Sequence, residues 1–143
     1  MWREITIPYA QGTRQVRVPE ENLLWIDGPK DAAEVPDLVT AVVETMRQPL
    51  GSPPLAELVR RHGKKTIVLV DDNTRSTPQR AVLPVVLDEL NAAGVPDSEI
   101  GVLVALGTHR PMTDAELLER FGETVLRRVR VENLSQSPQD FAD

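Results

Sequence analysis

The chain has 143 residues, 41% of them apolar and 27% charged, which is the usual range for one compact globular domain. Sixteen Lys+Arg against 22 Asp+Glu give a net charge of −6, so a phosphate backbone is repelled and nucleic acid is not an expected partner. Cysteine is absent, which removes disulfides, thiolate metal sites, iron–sulfur clusters and cysteine nucleophiles together.

The first residues, Met1 to Pro8, alternate polar and apolar side chains and lack the apolar core of roughly 7–15 residues that a signal peptide needs. No stretch approaches about 20 consecutive apolar residues. A soluble cytoplasmic protein without a membrane partner is the expectation.

Read in chain order, Glu4 to Tyr9 and Arg14 to Val18 flank a turn at Gln11-Gly12-Thr13 and predict a β-hairpin, with Asn22 to Ile26 as a third strand. Pro8 limits pairing at its end of the first strand. Asp37 to Arg47 puts Leu38, Val39, Val42, Val43 and Met46 on one helical face, which needs a sheet to cover. Ser52-Pro53-Pro54 opens a short helix through Leu55, Leu58 and Val59, and Gly63 closes it as a left-handed cap.

The β-branched run Thr66 to Asp72 has the character of a strand buried on both faces, and so of a parallel sheet. Thr77 can N-cap a helix that starts at Pro78 and stops at Gly94-Val95-Pro96, with Pro84 kinking it internally. Ile100 to Leu106 predicts a second buried strand. Thr113 and Glu116 form a capping box on a helix from Asp114 to about Phe121, which Gly122 closes. Val125 to Val131 predicts the last strand. The fold class is therefore α/β, a mostly parallel, doubly wound, Rossmann-like sheet flanked by helices with an N-terminal β-hairpin. The whole is taken as one domain, 1–143, with a hairpin region at 1–27, a helical segment at 28–63 and a βαβαβ core at 64–134.

A right-handed crossover points the strands at 66–72 and 100–106 the same way, so both carboxyl ends leave one edge of the sheet, where ligands bind. The loops leaving it are Asp72-Asn73-Thr74-Arg75-Ser76-Thr77-Pro78 and Gly107-Thr108-His109-Arg110-Pro111-Met112-Thr113. Adjacent strands, about 4.8 Å apart, would bring both loops around one small anion.

Arg75 and Arg110 can fork onto a carboxylate or phosphate, and the helix starts favour an anion. His109 suits proton transfer near neutral pH. Asp72 can orient an arginine, bind a hydroxyl or stay ionised beside a cation. Plainer roles exist for each: Asp72 and Thr74 can satisfy turn amides, Arg75 can pair with Asp72, Gly107 can serve a tight turn, and His109 can be a structural hydrogen-bonding group. His62, in the last turn of its helix, is explained by the helix dipole. Arg127, Arg128 and Arg130 suit a strand edge or an interdomain surface.

These two loops, with Tyr9, Pro19, Asn22-Leu23 and the run Pro49 to Leu55, resemble the N-terminal domain of the nickel-dependent lactate racemase family. The resemblance covers nearly the whole chain and rests most on Asp-Asn-Thr-Arg-Ser-Thr-Pro at 72–78 and Ala-Leu-Gly-Thr-His-Arg-Pro-Met-Thr at 105–113. It implies a racemase or epimerase of 2-hydroxy acids that works by proton-coupled hydride transfer with a nickel pincer nucleotide. In that likeness His109 and Asp72 are the catalytic positions, and Arg75 and Arg110 bind substrate. Asp72, Thr74, Arg75, Thr77 and Gly107 lie toward the cofactor, and no residue of this chain ligates the metal. The tethering lysine, a second catalytic histidine and the nickel-binding histidine are expected in a segment beyond residue 143, so the 143 residues alone are expected to be inactive. The chain departs from the family pattern at Ser76, where proline is common, and at Leu134, where many members have histidine. A homo-oligomer is compatible with this reading. The alternatives are a non-catalytic α/β module that binds a hydroxycarboxylate or nucleotide phosphate, and a structural interaction domain in which Asp72, Arg75 and His109 point apart.

Overall fold

The computed structural model describes residues 1–28 and 32–134; positions 29–31 of the expected 28–63 segment lie outside them. Contacts divide the chain into two compact units, Met1–Glu34 and Val35–Asp143.

The first unit is an antiparallel hairpin of β1 (Trp2–Tyr9) and β2 (Gly12–Pro19), in register from Trp2 opposite Pro19 to Tyr9 opposite Gly12. That register leaves Ala10 and Gln11 as the two-residue connection, with Ala10 at φ 51°, because short hairpin turns take a positive φ. The turn thus falls one residue earlier than Gln11-Gly12-Thr13. Arg14 lies over the Tyr9 ring at 4.2 Å and Arg17 over Trp2 at 5.5 Å. The expected third strand at 22–26 does not form; a 3-10 turn at Glu20–Asn22 takes its place and residues 23–26 pair with no strand.

The second unit runs α1 (Leu38–Arg47), α2 (Leu55–His62), β3 (Thr66–Asp71), α3 (Gln79–Ala92), β4 (Ile100–Ala105), α4 (Asp114–Arg128) and β5 (Arg130–Asn133). Strands β3, β4 and β5 form a parallel sheet in that order, with Asp71 beside Ala105 and Val104 beside Asn133 at the carboxyl edge. Asp37 caps α1 by accepting the Thr40 amide at 3.2 Å. This helix packs on α3, where Arg47 donates to Glu89 at 2.7 and 2.9 Å, rather than lying against a sheet. Gly63 closes α2 at φ 93°, ψ −174°, a glycine conformation but an extended one instead of the left-handed cap expected.

The core joins Leu83, Leu87 and Leu90 of α3 and Leu117, Phe121 and Val125 of α4 to Val70, Ile100, Val102 and Val104 of the strands. Each fully buried leucine or phenylalanine contributes roughly 1.5–3 kcal/mol of transfer free energy. Successive strands advance one way across the sheet, so among the described residues the crossover helices cover the face that bears Val102 and Val104. On β3, Ile67 and Leu69 are 65% and 68% exposed, which corrects the expectation of a strand buried on both faces. The doubly wound arrangement would need a reversal of strand order, and the order β3-β4-β5 has none.

Gly122 takes φ 79°, ψ 158°, outside the helical region, so it ends the helical run from Asp114 as expected, and a second helical segment resumes beyond it to Arg128 within α4. Val125 to Arg128 are therefore helical, and the strand expected at 125–131 begins only at Arg130. Leu117, Phe121 and Val125, at i, i+4 and i+8, hold both halves against the core. Of the basic cluster, Arg128 donates to Asp97, Asp88 and Asn91 and ties α4 to the end of α3, while Arg127 and Arg130 pair with Glu123 and Glu132. No helix among the described residues is long and apolar enough to cross a membrane.

Candidate active site

Because β3 and β4 are neighbours, the loops that follow them meet. The chain leaves β3 at Asp71 and Asp72, and Asp72 is only 3% exposed. A carboxylate so buried must have its oxygens satisfied. One oxygen, Oδ1, accepts the Thr74 hydroxyl at 2.6 Å and the Thr74 amide at 3.1 Å, an Asx turn that shapes the loop. The other, Oδ2, lies 2.5 Å from Nδ1 of His109 on the second loop. The two oxygens thus fill two roles at once: the turn role expected from sequence, and a pairing with His109 that the sequence reading does not include.

The Thr74 hydroxyl, opposed by burial and aided by His109, holds the Asp72 carboxyl down at about 2, so it is ionised at neutral pH. An ionised carboxylate can only accept, so Nδ1 is the donor in this contact. On the other strand Gly107 takes φ 60°, which turns the chain as it leaves β4, and the His109 amide donates to the Leu106 carbonyl at 3.0 Å. Asn133, at the end of β5, brackets Met112 through its amide at 3.0 Å and its carbonyl at 2.9 Å, so all three strand ends hold this rim.

Arg75 lies on the same loop as Asp72. Its amide donates to the Asp72 carbonyl at 3.3 Å, and its exposed guanidinium has no hydrogen-bond or ion-pair partner among the described residues. Arg75 therefore does not pair with Asp72. Arg110, in contrast, is committed: Nη1 and Nη2 fork onto Glu116 at 2.8 and 2.7 Å, and Nη1 also reaches the Pro111 carbonyl. This fork, joined by the Thr113 amide and hydroxyl, holds the Glu116 carboxyl far below the usual range and raises the Arg110 value.

The same Glu116 closes the expected capping box with Thr113 and accepts the Asn73 side-chain amide at 3.1 Å. It thus bridges the two loops, a role that the capping-box motif alone does not reveal. Thr77 does not cap α3. Its hydroxyl donates to Asp71, and Pro78 occupies the cap position. Asp71 also accepts from Gln79 at 3.0 Å and from Arg120 of α4. Burial pushes the Asp71 carboxyl up, but these donors outweigh it and keep it below its ordinary value.

Asp72, Thr74 and His109 are thus in direct contact, Arg75 and Gly107 share their rim, and Arg110 and Thr77 are engaged with neighbouring carboxylates. A cleft of about 400 Å³ opens beside the rim, lined in part by Asn73, Thr77, Arg80, Glu116 and Arg120. Among the described residues no three His, Cys, Asp or Glu side chains gather into a metal-ligating group.

Comparison with known proteins follows the same lines. A family model described as the lactate racemase N-terminal domain matches residues 9–142. The lactate racemase of Lactiplantibacillus plantarum is 32% identical over 130 residues, covering 89% of this chain and 30% of that protein. The lactate racemase of Thermoanaerobacterium thermosaccharolyticum is 30% identical over 125 residues, covering 85% and 29%. The structure of the lactate racemase apoprotein from T. thermosaccharolyticum superposes with a TM-score of 0.69 at 27% identity, over 96% of this chain and 31% of that one. The chain spans under a third of the length of these relatives. With its mixed α/β fold and nearly its whole length matched, the chain belongs to the lactate racemase N-terminal domain family.

Proposed function

We propose that this domain supplies one wall of the active site of a lactate-type 2-hydroxyacid racemase or epimerase, an isomerase whose remaining groups come from polypeptide outside these 143 residues. The observation that carries the reading is the guanidinium of Arg75, without a partner among the described residues, on the same loop as a buried, ionised Asp72 that holds His109 at 2.5 Å. A cationic anchor and an oriented imidazole are what a 2-hydroxycarboxylate requires of a protein.

In this reading Arg75 binds the substrate carboxylate by a bidentate fork. Asp72 fixes the tautomer and orientation of His109, and His109 takes the hydroxyl proton and returns it. Arg110, held by Glu116, contributes positive potential at the rim. The α-hydrogen beside a hydroxyl and an ionised carboxylate is a poor acid, so a side-chain base alone is a weak route to inversion. A nickel pincer nucleotide, when bound, would supply an electrophile that accepts that hydrogen with its electron pair. The residues fit the organic part of such a group: Arg75 has no partner among the described residues, and the Thr74 hydroxyl oxygen, whose hydrogen goes to Asp72, can still accept a hydrogen bond. The nickel would take its protein ligand from polypeptide outside these 143 residues.

The test joins this chain to the segment that follows the matched region in the L. plantarum racemase, loads the product with the nucleotide, and follows D- and L-lactate by chiral chromatography. Interconversion is expected, with a loss of roughly 10²–10⁴-fold in His109→Ala, the usual contribution of a general acid–base group. Full turnover in His109→Ala would overturn the assignment.

A further inference from the structure

The side chain of Arg120 projects from α4, near neither Asp72 nor His109 in sequence, and is only 12% exposed. Its Nη1 donates to the backbone carbonyl of Arg75 at 2.8 Å, and its Nη2 donates to the carboxylate of Asp71. Its Nε is buried without a partner among the described residues. Asp71 ends β3 and also accepts from Thr77 and Gln79, which bound the far end of the loop. One guanidinium thus grips the start of the 72–78 loop through Asp71 and its middle through the Arg75 carbonyl, and Asp71 binds the loop's return.

The geometry assigns Arg120 as a positioning residue of the site: it holds the backbone path that presents Arg75 and follows the Asx turn of Asp72. Helix burial alone would be served by an apolar side chain, and an ion pair alone would leave the Arg75 carbonyl to water. The buried, unpaired Nε is tolerated where the guanidinium plane is set by two acceptors on one loop. A planar fork can reach both acceptors at once, whereas an ammonium is a point donor on a flexible stem. The functional consequence rests on the reading of Arg75 as a carboxylate anchor; the positioning itself does not.

The test is amide hydrogen exchange by NMR on this chain and on Arg120→Lys, which keeps the charge and most of the stem. The amides of Thr74 and Arg75, bonded within the loop to Asp72, should exchange at least tenfold faster in Arg120→Lys. The amides of Val102 and Val104 in β4 should change far less. In Arg120→Met both loop amides should reach the rates of unstructured chain, and the His109 ring nitrogen signals should shift as its pairing with Asp72 loosens. If Arg120→Met does not fold, the lysine variant decides alone. Loop and strand amides accelerating by the same factor in Arg120→Lys, or loop amides unchanged, would overturn the proposal. Both readouts need neither substrate nor cofactor, so they succeed or fail independently of the racemase reading.

Discussion

Gly122 lies within α4, between the part that carries Glu116 and Arg120 and the part that carries Val125. In an ordinary helix interior, replacing glycine by alanine stabilises by roughly 0.5–1 kcal/mol, because the unfolded chain loses freedom. Here the sign reverses. At φ 79°, ψ 158° a side chain is strained by about 1–3 kcal/mol, while the unfolded-state gain from alanine is only about 0.4–1 kcal/mol. A Cβ would also meet Nε of Arg80 at 3.2 Å and Cγ at 3.4 Å, a contact that the exposed arginine can relieve by moving. Gly122→Ala should therefore destabilise by about 1–2 kcal/mol, which for a unit of about 100 residues lowers the melting temperature by roughly 4–15 °C. Differential scanning calorimetry or guanidinium denaturation reads this directly. A variant that melts higher than the parent would mean that α4 is continuous at this position and that the kink is wrong.

Two further outcomes follow from the rim. The folded carboxyl of Asp72 sits at about 2 against an ordinary 3.8, so its ionised form stabilises the fold fully above pH 3.8 and loses that contribution as pH falls through about 2. Asp72→Asn should accordingly be less stable than the parent at pH 6, with the difference shrinking below pH 4 and lost only below about pH 2; denaturant midpoints across that range check it, and a constant difference would contradict it. Glu116→Gln removes the charge that Arg110 grips and weakens the link to Asn73, so amides in both loops, 72–78 and 107–113, should exchange faster together, whereas loss confined to the Thr113 cap would show that the bridge is idle.

Local chemistry made some of this legible in the sequence. The Thr113–Glu116 capping box needs only residues three apart, and the β-branched runs at 66–72 and 100–106 announce parallel strands. From those strands the handedness of crossovers places Asp72 and His109 on one rim, although 37 positions separate them. The contacts that decide what each rim residue can do were not legible in that way. Arg120 reaches Asp71 across 49 positions and Asn73 reaches Glu116 across 43, and no local pattern marks either pair, so Arg110 resembled Arg75 as an anion binder until its partner was visible. Thr77 reads as a cap because caps are local, whereas the half-buried carboxylate of Asp71 takes its hydroxyl. Gly122 is legible as the stop of the first helical segment, whereas the resumption of helix after it is marked only by Val125, which keeps the apolar spacing of Leu117 and Phe121. The exposed face of β3 follows from strand order, which residue character does not encode.

The central claim is that the two loops form one site for a 2-hydroxycarboxylate anchored by Arg75. Titrating L-lactate into the isotope-labelled chain and into Arg75→Leu, with ¹H–¹⁵N spectra, tests it most directly. Saturable shifts clustered at residues 72–77 and 107–113, abolished in Arg75→Leu, are the predicted result. Shifts that are scattered elsewhere, or that persist unchanged in the leucine variant, would contradict it.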